Sequence, residues 1–191
     1  MFKTEGQKVE DQFLIRQILS GNTNAFRFLV LRYQKQIFRY LRSFGIVDAQ
    51  VEEIAQDIFV KAFKNLSTYD HEKNQFNTWL FAIAKHSALN AISKHSAKNE
   101  ILSEEEPEEI DTSTPLSALE QTILKKNLDQ SIRQLPLQFR NVITLFHFNE
   151  MSLEEISEVE QCNVGTVKSR LHRGKTMLRD IILKNYGTES L

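Results

Sequence analysis

Two helical stretches joined by four residues near the C-terminus constrain this chain most. They read Ser152-Leu-Glu-Glu-Ile-Ser-Glu-Val, then Glu160-Gln-Cys-Asn, then Val164-Gly-Thr-Val-Lys-Ser-Arg-Leu-His-Arg-Gly-Lys-Thr-Met-Leu-Arg. At 3.6 residues per turn the second stretch sorts into three faces. Val167, Leu171, Gly174, Leu178, Ile181 and Ile182 share a side that has to be buried. Lys168, His172, Lys175 and Arg179 form a flank suited to phosphates. Thr166, Ser169, Arg170, Arg173 and Met177 lie opposite, where base edges would be read. Asn163 stands where a helix N-cap belongs. This is the layout of a helix-turn-helix whose second helix enters a DNA major groove.

Charge supports that reading. Val164 to Lys184 carries six Lys/Arg and one acid, whereas Glu150 to Glu160 carries five acids and no base. The net charge of −1 conceals a division into blocks. Residues 1–98 hold 14 bases and 9 acids, and residues 115–191 hold 10 and 9. Between them residues 99–114 hold seven acids and no base, with Pro107 and Pro115 breaking the helical pattern. Two helical blocks around an acidic linker are expected, the linker competing with DNA for the basic faces.

The fold class expected is all-α, because long segments repeat at helical spacing and no alternating β-branched run occurs. In the first block the spacing predicts helices over about Val9 to Ser20, Asn22 to Phe44, Ala49 to Asn65 (capped by Asp48), and Gln75 to Lys98. The loop Ser67 to Asn74 breaks the pattern. Tyr69, His71, Lys73 and Asn74 gather stacking and hydrogen-bonding groups there, with Lys61 and Lys64 just before it. Such a mixture suits unstacked, single-stranded bases, although an ordinary polar connection would look similar.

No apolar run approaches the roughly 20 residues that span a bilayer, and the first residues lack the apolar core of a signal peptide. A cytoplasmic chain without direct membrane insertion is expected. The single Cys162 excludes an internal disulfide and reads as a small buried hydrophobe. His71, His86, His95, His147 and His172 are scattered and no phosphate loop occurs. No metal, cofactor or catalytic residue is therefore expected, and His86 and His95 read as solvent-facing or capping groups.

The motifs then become specific. Asn24-Ala-Phe-Arg-Phe-Leu-Val-Leu-Arg-Tyr-Gln34, Glu53-Ile-Ala-Gln-Asp-Ile-Phe-Val-Lys-Ala-Phe63, Phe76-Asn-Thr-Trp-Leu-Phe-Ala-Ile-Ala84, Leu135-Pro-Leu-Gln-Phe-Arg140 and Val164-Gly-Thr-Val-Lys-Ser-Arg-Leu171 follow in order. This succession resembles the extracytoplasmic-function (ECF) sigma factors of bacterial RNA polymerase, from about Val9 to Lys184. The resemblance implies a minus-10-reading domain over residues 7–98, a linker over 99–114 and a minus-35-reading domain over 115–186. It implies core RNA polymerase and promoter DNA, both duplex and melted non-template strand, as partners, and an anti-sigma factor as a further one.

By resemblance, Glu53, Gln56 and Asp57 fall in the segment that docks on polymerase, and Tyr69 to Asn74 with Phe76 and Asn77 in the part that captures a flipped base. Thr166, Lys168, Ser169, Arg170 and Arg173, with Lys175 beside them, would contact the minus-35 element. Two departures stand out. Glu160-Gln161 replaces the family's usual Leu-Gly, so a left-handed turn there would cost roughly 1 kcal/mol. The fourth helix is also poorer in arginine than is common. The rival reading is a helix-turn-helix regulator that is not a sigma subunit.

Overall fold

A computed structural model describes residues 5–97 and 116–187. The linker 99–114, with its prolines and acids, lies outside them, as does the side chain of His95. Every regular element among the described residues is helical. Four α-helices form the first bundle: α1 (Glu5–Leu19), α2 (Phe26–Ser43), α3 (Asp48–Lys64) and α4 (Phe76–Ala97). Four form the second: α5 (Leu116–Arg133), α6 (Leu137–Ile143), α7 (Leu153–Glu160) and α8 (Val164–Tyr186).

The amphipathic spacing explains the first bundle. Leu29, Tyr33, Ile37, Tyr40 and Leu41 of α2 meet Val51, Ala55, Ile58 and Ala62 of α3, and Leu80, Phe81, Ala84 and Ala88 of α4 close the core. Differences from the sequence reading cluster at helix ends. The helix expected from Asn22 begins as a 3-10 turn, Thr23–Ala25, before α2 starts at Phe26. Asp48 is not the cap of α3. Val47 takes that position, and Asp48 sits in the first turn, where it pairs with Arg42. A carboxylate there also suits the helix dipole. Phe63 and Leu89 are substantially exposed, and the Phe63 ring packs edge-on against Phe26 at 5.1 Å. A buried polar cluster ties α1 to α2: Arg32 and the Tyr33 hydroxyl both donate to the carboxylate of Asp11.

In the second bundle α6 runs into a π turn, Thr144–Phe148, and crosses α8 at close range. Gly174 permits the approach. A Cβ there would stand 2.9 Å from Ile143 Cδ1 and 3.2 Å from Phe139 Cβ. The first neighbour can rotate away, but the second is fixed to its backbone. Overpacking typically costs about 1–3 kcal/mol, and better helix propensity returns up to about 1. Gly174→Ala should therefore destabilise the C-terminal bundle by about 1 kcal/mol in chemical denaturation. A stabilised variant would show that α6 and α8 are not so closely packed.

The two bundles lie against each other. Arg39 Nη1 donates to the Phe148 carbonyl at 3.1 Å, and Arg140 Nη1 to the Ser43 carbonyl at 3.1 Å. Ser43 Oγ donates to Asn141 Oδ1 at 3.4 Å, and α4 packs along α7. Burial, followed by the neighbouring charge of Arg133, lowers the pKa of Arg140.

Candidate nucleic-acid interface

The helix-turn-helix is built from local capping. Ser152 Oγ accepts from the Glu155 amide at 3.1 Å while Glu155 Oε2 accepts from the Ser152 amide at 2.7 Å, a full capping box that starts α7. Gln161 ends α7 in the left-handed region, φ 53°, ψ 48°. The turn thus keeps the shape that glycine would adopt freely and carries the conformational cost expected from the departure at this position. Asn163 Oδ1 accepts from the Thr166 amide at 2.7 Å, so the expected cap of α8 forms.

Helix α8 presents the expected faces only in part: of the residues expected to read base edges, Ser169 and Arg173 are exposed, whereas Thr166, Arg170 and Met177 are half-buried, Met177 against the core. Val167, Leu171 and Gly174 are buried, while Leu178, Ile181 and Ile182 are only half-buried. Lys168, Ser169, Arg173 and Lys175 are exposed. Lys175 Nζ lies 5.4 Å from the centre of the Phe146 ring, and its charge, after burial, lowers the pKa of nearby His147. Thr166 is turned back to its own cap, its hydroxyl donating to Asn163 Oδ1 at 3.0 Å. Arg170 is half-buried, with Nη1 3.9 Å from Glu160 Oε2 and 3.9 Å from Cys162 Sγ. Cys162 is accordingly half-buried beside a guanidinium rather than enclosed in the core.

The loop in the first bundle is partly folded on itself. His71 and Lys73 are exposed. Lys73 pairs with Asp70 at 3.2 Å. Tyr69 packs on Phe76 and Trp79, with ring centres 5.6 and 5.5 Å away, and its hydroxyl donates to the Asn74 carbonyl at 3.0 Å. Burial first, then Asp11 and Asp70, pushes that hydroxyl up to about 12. Phe76 is 3 % exposed and sits edge-on against Tyr33 at 5.6 Å, so it holds the aromatic cluster from within. Lys64 is exposed, whereas Lys61 is tethered to α4 by donating to Ser87 Oγ at 3.0 Å. On α3, Glu53, Gln56 and Asp57 line an exposed strip opposite the buried Val51, Ala55 and Ile58.

Long-range packing adds contacts that spacing did not reveal. Asn77, 2 % exposed, donates through Nδ2 to Glu155 Oε1 at 3.0 Å. Asn74, with its amide turned so that both ends find partners, donates to Glu158 Oε2 at 2.9 Å. Lys85 Nζ reaches the Val159 carbonyl and Glu160 Oε2, both at 3.2 Å. The Glu160 side chain is only 6 % exposed. Over it lies the buried Tyr40 hydroxyl, whose pKa is raised first by burial and then by the charge and hydrogen bonding of Glu160. Neither Tyr40 Oη nor Glu160 Oε1 has another partner. Lys85 and Tyr40 carried no sequence signal of their own. Glu155 could be found as the third residue after Ser152 in a capping-box pattern, and Glu160 as a carboxylate in a turn usually built from Leu-Gly.

Among the described residues, no group of three or more His, Cys, Asp or Glu side chains could hold a metal ion, and no helix is long and apolar enough to cross a membrane.

These two halves match known sequence families in the same order. Residues 29–98 match Sigma-70 region 2 and residues 125–178 match Sigma-70 region 4. The RNA polymerase sigma-H factor of Pseudomonas aeruginosa is 33% identical over 87% of this chain and 90% of its own length. The ECF RNA polymerase sigma factor SigW of Bacillus subtilis is 34% identical over 86% and 92%. CnrH, solved in complex with the cytosolic domain of CnrY, superposes with a TM-score of 0.68 at 26% identity, covering 92% of this chain and 98% of that one. The chain belongs to the ECF sigma factors of the sigma-70 family, transcription initiation factors that bind core RNA polymerase and recognise promoters.

Proposed function

We propose a division of labour within that role. Residues 7–98 dock on core polymerase through Glu53, Gln56 and Asp57 and take up the melted minus-10 strand at Lys61, Lys64, Tyr69, His71, Lys73, Asn74 and Asn77. Phe76 supports Tyr69 and Trp79 from inside. Residues 115–186 read the minus-35 duplex through Thr166, Lys168, Ser169, Arg170, Arg173 and Lys175, and residues 99–114 link the two. The chain works in the cytoplasm without catalysing a reaction itself, and an anti-sigma protein restrains it. The observation that carries this reading is α8. One side is pinned by Val167, Leu171 and Gly174, and the opposite side displays Lys168, Ser169, Arg173 and Lys175 to solvent.

Transcription with core polymerase from a library randomised in the minus-35 element tests it. An arginine reading guanine bidentately contributes about 1–3 kcal/mol of discrimination, whereas a lysine on a phosphate adds affinity to every sequence. Arg173→Ala should relax preference at particular positions. Lys175→Ala should weaken all promoters evenly and lower the salt slope by about one. The same uniform loss from both variants would mean that another face of α8 meets the groove.

A further inference from the structure

Where α2 meets the second bundle, the chain encloses a cavity of about 340 Å³. Small-molecule sites typically span about 300–1,000 Å³. Helix α2 forms one wall, and α5, α6 and the π turn form the other. No residue of α8 or of the loop 67–74 lines it. Six cationic side chains converge on this hollow: Lys35, Arg39 and Arg42 from α2, and Lys125, Arg133 and Arg140 from the second bundle. Asp129 is the one carboxylate among the lining residues. Arg42 is neutralised by Asp48, but the other five cations form no ion pair among the described residues. Arg39 and Arg140 donate to the carbonyls of Phe148, Ser43 and Leu135, which supply no counter-charge. Like charges gathered around one concavity raise its potential and draw anions into it.

The rest of the wall is apolar. Phe38, Leu128, Ile132 and Phe148 supply it, and the Arg39 guanidinium stands 5.3 Å from the centre of the Phe148 ring. We propose that this cavity binds a nucleoside di- or triphosphate, with its phosphate chain among Lys35, Lys125, Arg133 and Arg140 and its base against Phe38 and Phe148. Guanidinium forks match phosphate oxygens in pairs, and the two lysines add charge without fixing direction. The aromatic rings offer a base the flat apolar contact that a bare phosphate cannot use. A nucleic-acid backbone fits less well, because it needs cations set along an extended track, and these converge on one hollow. Both bundles line the cavity, so a bound nucleotide adds to the stability of their contact.

Binding of ribose-labelled fluorescent ATP to the full chain, read by anisotropy at physiological ionic strength, tests this. The expected result is saturable one-to-one binding, reversed by unlabelled ATP or GTP. Tripolyphosphate, or a short DNA single strand at equal phosphate concentration, should displace the label at least tenfold less readily. Lys35 and Arg133 are exposed and make none of the hydrogen bonds between the bundles. Lys35→Gln with Arg133→Gln should therefore keep the parent's circular dichroism and weaken ATP binding at least tenfold. Lys94→Gln, which removes an exposed cation outside the cavity, should bind as the parent does. ATP at a hundredfold excess over its Kd should raise the thermal midpoint by about 5 °C. Absence of saturable binding, or unchanged affinity in the Lys35/Arg133 double variant, would overturn the proposal. Displacement by tripolyphosphate as readily as by ATP would overturn it by removing the base from the site. Equal displacement by the single strand would overturn it in favour of a nucleic-acid surface.

Discussion

Asp57→Lys should abolish co-elution of this chain with core RNA polymerase while leaving its helical content intact. Asp57 lies on the exposed strip of α3 with Glu52, Glu53 and Gln56, one turn apart on the side away from the core. The buried side of α3, through Val51, Ala55, Ile58 and Ala62, holds the helix in place and does not involve Asp57. Exposed substitutions of this kind usually change stability by less than about 0.5 kcal/mol. At an interface the account differs, because like-charge juxtaposition costs several kcal/mol. A loss of about 4 kcal/mol corresponds to roughly a thousandfold weaker complex, enough to remove co-elution at micromolar concentration. Size-exclusion chromatography with core enzyme and far-ultraviolet circular dichroism give the two readouts. Normal co-elution of the variant would take the polymerase contact away from this strip.

Asp11→Ala should have the largest effect on stability. The carboxylate is 5 % exposed and accepts from the Arg32 guanidinium and the Tyr33 hydroxyl, with Glu10 completing the guanidinium's contacts at 2.7 Å. Burial, reinforced by Asp11, raises the Tyr33 pKa far out of its ordinary range, so the hydroxyl stays protonated and donates. Removing the carboxylate takes an acceptor from the buried Tyr33 hydroxyl and a counter-charge from a guanidinium that is itself only partly exposed. Breaking one side of a buried pair costs about 3–5 kcal/mol, and the partial exposure of Arg32 places this case near 3. At about 4–8 °C per kcal/mol for a bundle of this size, the thermal midpoint should fall by more than about 10 °C. Asp11→Asn keeps an acceptor for Tyr33 and should lose less. A fall of under a degree in calorimetry for Asp11→Ala would show that α1 is held by its apolar contacts alone.

Much of this protein was legible before any coordinate. The buried stripe of α8 through Val167, Leu171 and Gly174, its Asn163 cap and the left-handed turn at position 161 follow from local chemistry, and all three appear in the structure. Helix boundaries were less secure. Thr23–Ala25 and Asp48 show why, since a 3-10 turn and an α-turn use the same residues, and Asp48 found Arg42 instead of a cap. Phe76 and Asn77 illustrate a second kind of gap. Their neighbours in sequence form a polar loop, yet one ring is enclosed by Tyr33, Tyr69 and Trp79 and one amide is covered by α7.

Sequence by itself determined the elements and their chemistry: which residues are helical, which stripe of each helix is apolar, and where base and acid accumulate. Those properties depend on neighbours within a turn or two, and a periodicity records them. Only the tertiary structure decided that the acidic face of α7 meets the polar end of α4, that Glu160 finds Lys85 75 residues away, and that Arg170 is drawn toward a carboxylate instead of standing free. Such pairings arise from how two amphipathic bundles happen to cover one another. No repeat in the sequence encodes that geometry, because the same solvent-facing pattern fits a polar surface left in water as well as one pressed against another helix.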